Sequence, residues 1–237
     1  TLLNVVGSVK AIYKYTRDLE YYATRDPLTD LFNQRVFWEL SANEIGRAQR
    51  NGYSFGLLLI DLDNFKLIND HHGHTVGDSY LQRFAAQVQA ALREGDILAR
   101  YGGDEFVAIL PEAGLDTVVA VARRILKAVE TLELVTPQGA RLRATASIGL
   151  AVYPDHAESA KDLLMFADNM MYRAKDMGKD QVAVPTQDDV VEIFRDISQK
   201  SLMVVEAIEN RRVLPYFQPI LDVASRQIVA YEVLSRI

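Results

Sequence analysis

Residues 100 to 110 read RYGGDEFVAIL. Gly102 and Gly103 precede two acids, Asp104 and Glu105, and the chain then becomes the apolar run Phe106 to Leu110. A second apolar run, YSFGLLLIDLD, closes on Asp61 and Asp63. Both runs read as buried strands with acidic mouths. If the two strands are neighbours, Asp61 and Asp104 converge at one edge of a sheet. Magnesium takes oxygen ligands and is commonly held by one or two carboxylates together with substrate phosphates. Two such ions stabilise the attacking and leaving oxygens of a phosphoryl transfer. Glycines, having no side chain, admit a nucleotide or phosphate close to the backbone. Either acid alone reads as a solvated turn residue; acids at two strand ends, one behind a Gly-Gly turn, point to a site.

The stretch after Asp63 is NFKLIND. A turn at Asn64 and Phe65 can aim backbone N–H groups at phosphate oxygens, as nests and helix N-termini do. Lys66 adds positive charge. Asn69 and Asp78 bracket HHGHTVG. A carboxylate can accept from both N1–H and N2–H of guanine, and an Asn beside it can read the remaining edge. The pair is a candidate guanine reader, which chemistry alone does not single out from other Asn/Asp pairs. His71, His72 and His74 have no evident fourth ligand for zinc and read as loop residues beside the nucleotide pocket.

These residues need a frame. Leu2, Val5, Val9, Ile12, Thr16, Leu19 and Ala23 follow the a/d spacing of a coiled coil. An amphipathic helix packed on its own domain fits residues 1–25 equally. Pro27 ends this helix, and Asn33 can cap the next, of about 15 residues, which ends near Gly52. The strand to Asp63 follows, then a short helix, then a helix with Leu81, Phe84, Val88 and Leu92 on one face. Two strands flank the Gly-Gly turn. Residues 114–132 read as a helix, LRATASIGLAVYP as a strand stopped by Pro154, 159–177 as a helix and QVAV as a last strand. The order β-α-α-β-β-α-β-α-β, with a central hairpin, predicts an α+β fold: a palm-like βαββαβ plan with a largely antiparallel sheet flanked by helices. A helix over 187–211 and a new pair of strands come after a domain boundary near Pro185.

The totals are compatible with this. The chain has 237 residues, 49% hydrophobic and 24% charged, enough for one domain with an appendage or for two small ones. A net charge of −6 argues against a general binder of nucleic-acid polymers. The absence of cysteine excludes disulfides and thiolate zinc sites and favours a reducing compartment. No apolar run reaches the roughly 20 residues of a membrane span. The abrupt start at Thr1 and end at Ile237 predict a piece of a longer protein.

DPLTDLFN, DLDNFKLINDHHGHTVGD, RYGGDEF, SIGLAVYP and ADNMMYRAKDMGKD, in this order over residues 26 to about 184, together resemble the GGDEF family of diguanylate cyclases. The resemblance implies an enzyme that joins two GTP molecules into cyclic di-GMP and releases pyrophosphate. It implies a domain over 26–185, an N-terminal signalling helix over 1–25 and a linker helix over 186–212. By resemblance, Asp61, the Leu62 carbonyl and Asp104 hold two Mg²⁺ per active site, with Mn²⁺ as an alternative. Asp104, Glu105 and Lys66 are catalytic, and Asp104 helps deprotonate the attacking 3′-hydroxyl. Asn64, Phe65, Lys66, Asn69, Asp78, Lys175 and Lys179 bind GTP. Position 179 often has Arg and position 180 Asn; Lys179 keeps a charge but loses a bidentate fork. Arg93 and Asp96 form the R-x-x-D unit of the family's inhibitory product site, with Arg124 as a second basic contact.

A two-fold symmetric product implies two facing domains, hence a homodimer through the active sites and the N-terminal helix. An upstream sensor is the implied partner. A cytoplasmic location is expected, with anchoring of the parent to the inner membrane through an upstream segment left open.

Residues 213–237 resemble the opening of an EAL-family phosphodiesterase, with Glu232-Val233-Leu234 at the signature. That family implies Glu232 as a metal ligand and Gln218, Leu234 and Arg236 in the product pocket. With only this truncated N-terminal fragment, no phosphodiesterase activity is expected, and residues 214–237 are either poorly ordered or paired with a neighbouring strand edge. Two other functions stand beside the cyclase: a silent cyclic di-GMP receptor and a GTP-sensing module regulating the phosphodiesterase.

Overall fold

The computed structural model describes residues 21–136 and 138–236. The proposed heptads, apart from Ala23, lie outside them. The chain divides into two compact units, the first ending at Pro185 and the second beginning at Thr186.

In the first unit, after helical residues 21–24, the elements are β1 (Phe32–Asn33), α1 (Gln34–Asn51), β2 (Phe55–Leu62), α2 (Phe65–His72), α3 (His74–Ala90), β3 (Ile97–Gly102), β4 (Glu105–Leu110), α4 (Leu115–Glu130), β5 (Leu134–Val135), β6 (Arg141–Leu142), β7 (Ala146–Tyr153), α5 (Ala160–Asp176) and β8 (Gln181–Ala183). The main sheet has the order β1-β3-β4-β2-β7-β8. Its central pairings are antiparallel, and the outer pairs β1/β3 and β7/β8 are parallel. The α+β palm-like plan is therefore present.

Three short strands depart from the expected order. β1 is two residues pairing with β3, and β5 and β6 form a separate two-residue hairpin. Such pairings lack the length over which a period-2 pattern can show. The site also lies elsewhere than at a sheet edge. β2 and β4 are interior strands, so the acids meet at the open end of the sheet's centre.

The apolar run of β2 is explained by burial on both faces, since all eight of its residues are buried. Leu58, Ile60 and Leu62 join a core with Phe84 and Val88 of α3 and Ile125 of α4. Leu57 and Leu59, pointing the other way by strand alternation, are equally buried on the side where α5 packs. Each such side chain contributes about 1.5–3 kcal/mol. Asn33 caps α1 as expected, and Ser159 caps α5. Asn33 accepts from Val36 N at 3.1 Å, and Ser159 accepts from Asp162 N at 3.1 Å. Each is worth about 1 kcal/mol.

His156, just past β7, is buried, with its ring stacked 4.8 Å from Phe166. Its Nδ1 accepts from Val152 N at 2.8 Å, so the neutral ring is the form that fits. Burial pushes its pKa down, against a smaller pull upward from Asp155. A depressed histidine binds fewer protons folded than unfolded. Its contribution is full above the ordinary value near 6.5 and is lost as pH falls from there toward the folded value. Thermal melts at pH 8 to 5 should show stability dropping below about pH 6.5, at no more than about 1.4 kcal/mol per pH unit from this group. His156→Gln should remove that component.

In the second unit, α6 (Gln187–Glu209) opens with a capping box between Thr186 and Asp189. β9 (Leu214–Leu221) and β10 (Ile228–Arg236) pair with each other as an antiparallel ribbon, with Glu232 opposite Gln218. The ribbon is almost wholly exposed, with Tyr216, Phe217, Ile220, Tyr231 and Val233 in solvent. No helix among the described residues is long and apolar enough to cross a membrane.

Candidate active site

Asp61 sits one residue from the end of β2, opposite Glu105 of β4 on one side and Ser147 of β7 on the other. It is buried, and its Oδ2 lies 2.9 Å from Lys175 Nζ. Burial raises its pKa; Lys175 opposes this, while Asp104 and Asp63 add to it. Glu105 is also raised, by burial first and then by the charges of Asp61, Asp168 and Asp104, with Lys175 again opposing. Around Asp61 and Glu105, therefore, neighbouring acids outnumber the one opposing lysine, Lys175. Asp168 went unrecognised from sequence. It lies on α5 seven residues before Lys175, two turns along one face, and that spacing was the available signal.

The Gly-Gly turn joins β3 to β4. Gly103 has φ 51°, a left-handed conformation that glycine adopts without penalty. A side chain at either glycine would meet no atom within 4 Å, so open space adjoins the turn. Arg100 fixes it. Its Nε and Nη2 donate to the Gly103 carbonyl at 3.0 and 2.7 Å, and its Nη1 donates to both oxygens of Asp26 at 3.1 and 3.2 Å. Asp26 also accepts from the Thr29 N–H and hydroxyl. Burial alone would raise Asp26, but the Thr29 bonds and Arg100 together hold it below its ordinary value. The DPLTDLFN turn therefore anchors the arginine that holds the acidic turn, a role sequence spacing did not disclose.

α2 and α3 form a tight helical hairpin across Gly73. A Cβ on Gly77 would lie 2.0 Å from Asn69 Oδ1, so the Asn69 side chain lies directly over Gly77. This places Asn69 against the chain next to Asp78, which is exposed. Gly77 is a second unrecognised contributor.

Asn64, with φ 58°, turns the chain into α2, and no side chain caps that helix. Its Oδ1 accepts from Lys179 Nζ at 2.7 Å. Lys179 follows Gly178 and precedes Asp180, with φ of 117°, 66° and 50° along the three residues. Left-handed conformation costs roughly 1–2 kcal/mol per non-glycine residue, so this turn needs outside support. Asp61, Leu62, Asn64, Phe65, Lys66, Asp104, Lys175 and Lys179, with Asp63, line one cavity of about 220 Å³. Asn69, Asp78 and Glu105 are not among its lining residues.

Arg93 and Asp96 lie elsewhere. Asp96 accepts from Arg93 N at 3.0 Å and Nε at 3.1 Å, and its side chain is covered. Arg93 Nη2 donates to the Pro111 carbonyl at 2.6 Å, with its side chain half exposed beside a cavity of about 320 Å³ that Arg47 and Glu112 also line. Arg124 Nε donates to the Ala91 carbonyl at 2.7 Å and is not in that lining.

The donor set suits a divalent cation that keeps substrate oxygens. Asp61, Leu62, Asp63 and Asp104 are among the residues lining the cavity, and among the described residues no group of three or more histidines, cysteines or acids is placed to close around a metal ion. Magnesium is bound in that open manner.

Fold and mouth together define a palm-type α+β domain with an acid-and-lysine cleft at the end of its central strands. Residues 23–181 match the family described as diguanylate cyclase, GGDEF domain. The chain belongs to the GGDEF family. Diguanylate cyclase DosC of Escherichia coli K12 is 34% identical over 186 residues, covering 76% of this chain and 40% of DosC. The bifunctional diguanylate cyclase/cyclic di-GMP phosphodiesterase MucR of Pseudomonas aeruginosa is 28% identical over 232 residues, 95% of this chain and 33% of MucR. The coiled coil and GGDEF domain of DgcB from Caulobacter crescentus, solved in complex with c-di-GMP, superposes with a TM-score of 0.69 at 25% identity, covering 77% of this chain and 96% of that one. The chain thus spans well under half the length of these two curated relatives.

Proposed function

We propose that this domain condenses two GTP molecules into cyclic di-GMP. In each half-reaction a ribose 3′-oxygen attacks an α-phosphorus, the bond to the β-phosphate oxygen breaks, and pyrophosphate leaves with the bonding electrons. The 3′-hydroxyl proton passes to a base, for which Asp104 is the candidate. The observation that carries this reading is the one cavity lined by three acids, Asp61, Asp63 and Asp104, and three lysines, Lys66, Lys175 and Lys179. Asp61, the Leu62 carbonyl and Asp104 would hold Mg²⁺ or Mn²⁺, which when bound neutralises charge developing on the transferred phosphate. The lysines hold the β- and γ-phosphates. Asn69 and Asp78 read guanine, and Glu105, kept protonated more readily by its surroundings, assists at the acidic turn.

The chemistry requires two domains with facing sites, so the working unit is a homodimer. Its setting is the cytoplasm. The β9–β10 ribbon, with Glu232 paired across to Gln218, is proposed to open an EAL-type domain; the match to MucR, which runs through nearly all of this chain, supports that reading. The test is direct: the chain is incubated with GTP and Mg²⁺, and cyclic di-GMP and pyrophosphate are followed by chromatography. Absence of product from concentrated, nucleotide-stripped protein would favour a sensing module instead.

Feedback is proposed at Arg93, whose half-exposed guanidinium is oriented by the covered Asp96. The solved c-di-GMP complex of DgcB supports product binding by a related domain. Arg93→Ala should abolish the plateau in product formation and raise the half-inhibitory cyclic di-GMP concentration by about tenfold or more, the loss of one charge-assisted fork. Initial rates at low product should stay within about twofold, since a surface change away from the site leaves turnover intact.

A further inference from the structure

We propose that Asp63 is a positioning residue for Lys179, pinning the 178–180 turn to the mouth of the sheet and so setting where the lysine ammonium stands. The inference rests on the reading of Lys179 as a phosphate-holding residue.

Asp63 lies two residues past Asp61, yet the two carboxylates are used differently. Asp61 faces an ammonium, Lys175. Asp63 is 3% exposed, and both its oxygens are occupied by neutral donors. Oδ1 accepts from Ser147 Oγ at 2.7 Å; Oδ2 accepts from Thr145 Oγ1 at 2.7 Å and from Asp180 N at 3.1 Å. Its own N–H donates to the Thr145 carbonyl at 2.9 Å, continuing the β2–β7 ladder by one step. With three donors on two covered oxygens, Asp63 is built to hold protein rather than a cation.

What it holds is the strained turn. β8 pairs with β7 from Gln181 onward, opposite Ser147. One residue earlier the ladder has no further strand, and the Asp63 carboxylate takes its place, receiving the Asp180 N–H. The turn's other bonds run back to its own helix, from Lys179 N to the Ala174 carbonyl at 3.0 Å and from Gly178 N to the Lys175 carbonyl at 3.3 Å. Asp63 therefore ties Asp180 to the end of β2, where Asn64 receives the Lys179 ammonium. An aspartate at 180 serves this as well as an asparagine would, because the contact uses its backbone N–H.

The test is a double-mutant cycle on GTP kinetics. Asp63→Ala should raise the KM for GTP by about tenfold with kcat within about threefold, the pattern of lost ground-state binding. Lys179→Ala alone should raise KM similarly. In the Asp63→Ala background it should add less than about twofold, because residues acting through one contact are not additive. Asp63→Asn should recover most of the loss, since its Oδ1 can still accept from Asp180 N while its amide donates to a hydroxyl oxygen. Should Asp63→Ala not fold, Ser147→Ala frees one oxygen of the carboxylate, and the same non-additivity with Lys179→Ala is expected on a smaller scale. Independent, multiplying effects would overturn the proposal, as would a fall in kcat accompanied by a higher Mg²⁺ requirement, the mark of a metal ligand. Lys179→Ala without effect in the otherwise unaltered chain would instead overturn the phosphate reading of Lys179 itself.

Discussion

Asp104→Ala should reduce cyclic di-GMP formation by about a hundred- to a thousandfold or more, the scale lost when one preorganised electrostatic element aimed at a transition state is removed. The residue is half-buried in the turn after Gly103, and its backbone carbonyl accepts from Leu62 N at 3.3 Å. The substitution keeps that backbone bond, so the melting curve should move little, within about 0.5 kcal/mol. The loss should fall on kcat, because an interaction gained mainly in the transition state does not set KM. Asp104→Glu should retain activity, since a carboxylate remains on a turn with open space beside it. Removing the Asp104 charge also takes away one of the contributors raising Asp61 and Glu105, so both should titrate closer to their ordinary values, which NMR of the carboxyl carbons would read. Full activity in Asp104→Ala would sink the two-acid reading of the cleft.

The acids were legible because they break a pattern. Asp61 and Asp104 end or precede runs that are otherwise apolar, and burial of β2 and β4 accounts for those runs. The helix cap at Asn33 was legible as local chemistry. The supports were not, because they join residues far apart in sequence through contacts without a spacing rule. Arg100 reaches Asp26 across 74 positions, and Asp63 reaches Asp180 across 117. Asp168 acts on Glu105 through its charge across two elements, and only its two-turn spacing from Lys175 on α5 hinted at it. β1, β5 and β6 escaped because two residues carry no periodicity. Sequence thus disclosed the groups that face the cavity better than the groups that hold them there.

The largest effect on the frame should come from Gly149→Ala, in the middle of β7. A Cβ built there would stand 1.9 Å from the Ala167 carbonyl oxygen and 2.3 Å from Met171 N. Both are backbone atoms of α5, so no side chain can swing aside. At Gly56 the added methyl would meet the Val118 side chain at 2.2 Å, and a rotamer change can absorb part of that. Position 149 offers no such relief, and the helix must lift from the sheet. Overpacking of this kind costs about 1–3 kcal/mol or more, or roughly 3–10 °C in Tm for a domain of this size. The consequence reaches the cleft, because α5 carries Asp168 and Lys175 and leads into the Lys179 turn. The 2.9 Å contact between Lys175 and Asp61 would lengthen with the helix. KM for GTP should therefore rise several-fold in whatever fraction stays folded, at a temperature well below the lowered Tm. Gly56→Ala, on the opposite helical layer, should lose stability without that rise. Equal KM values for the two variants would show that α5 positions its lysines independently of its seat on β7.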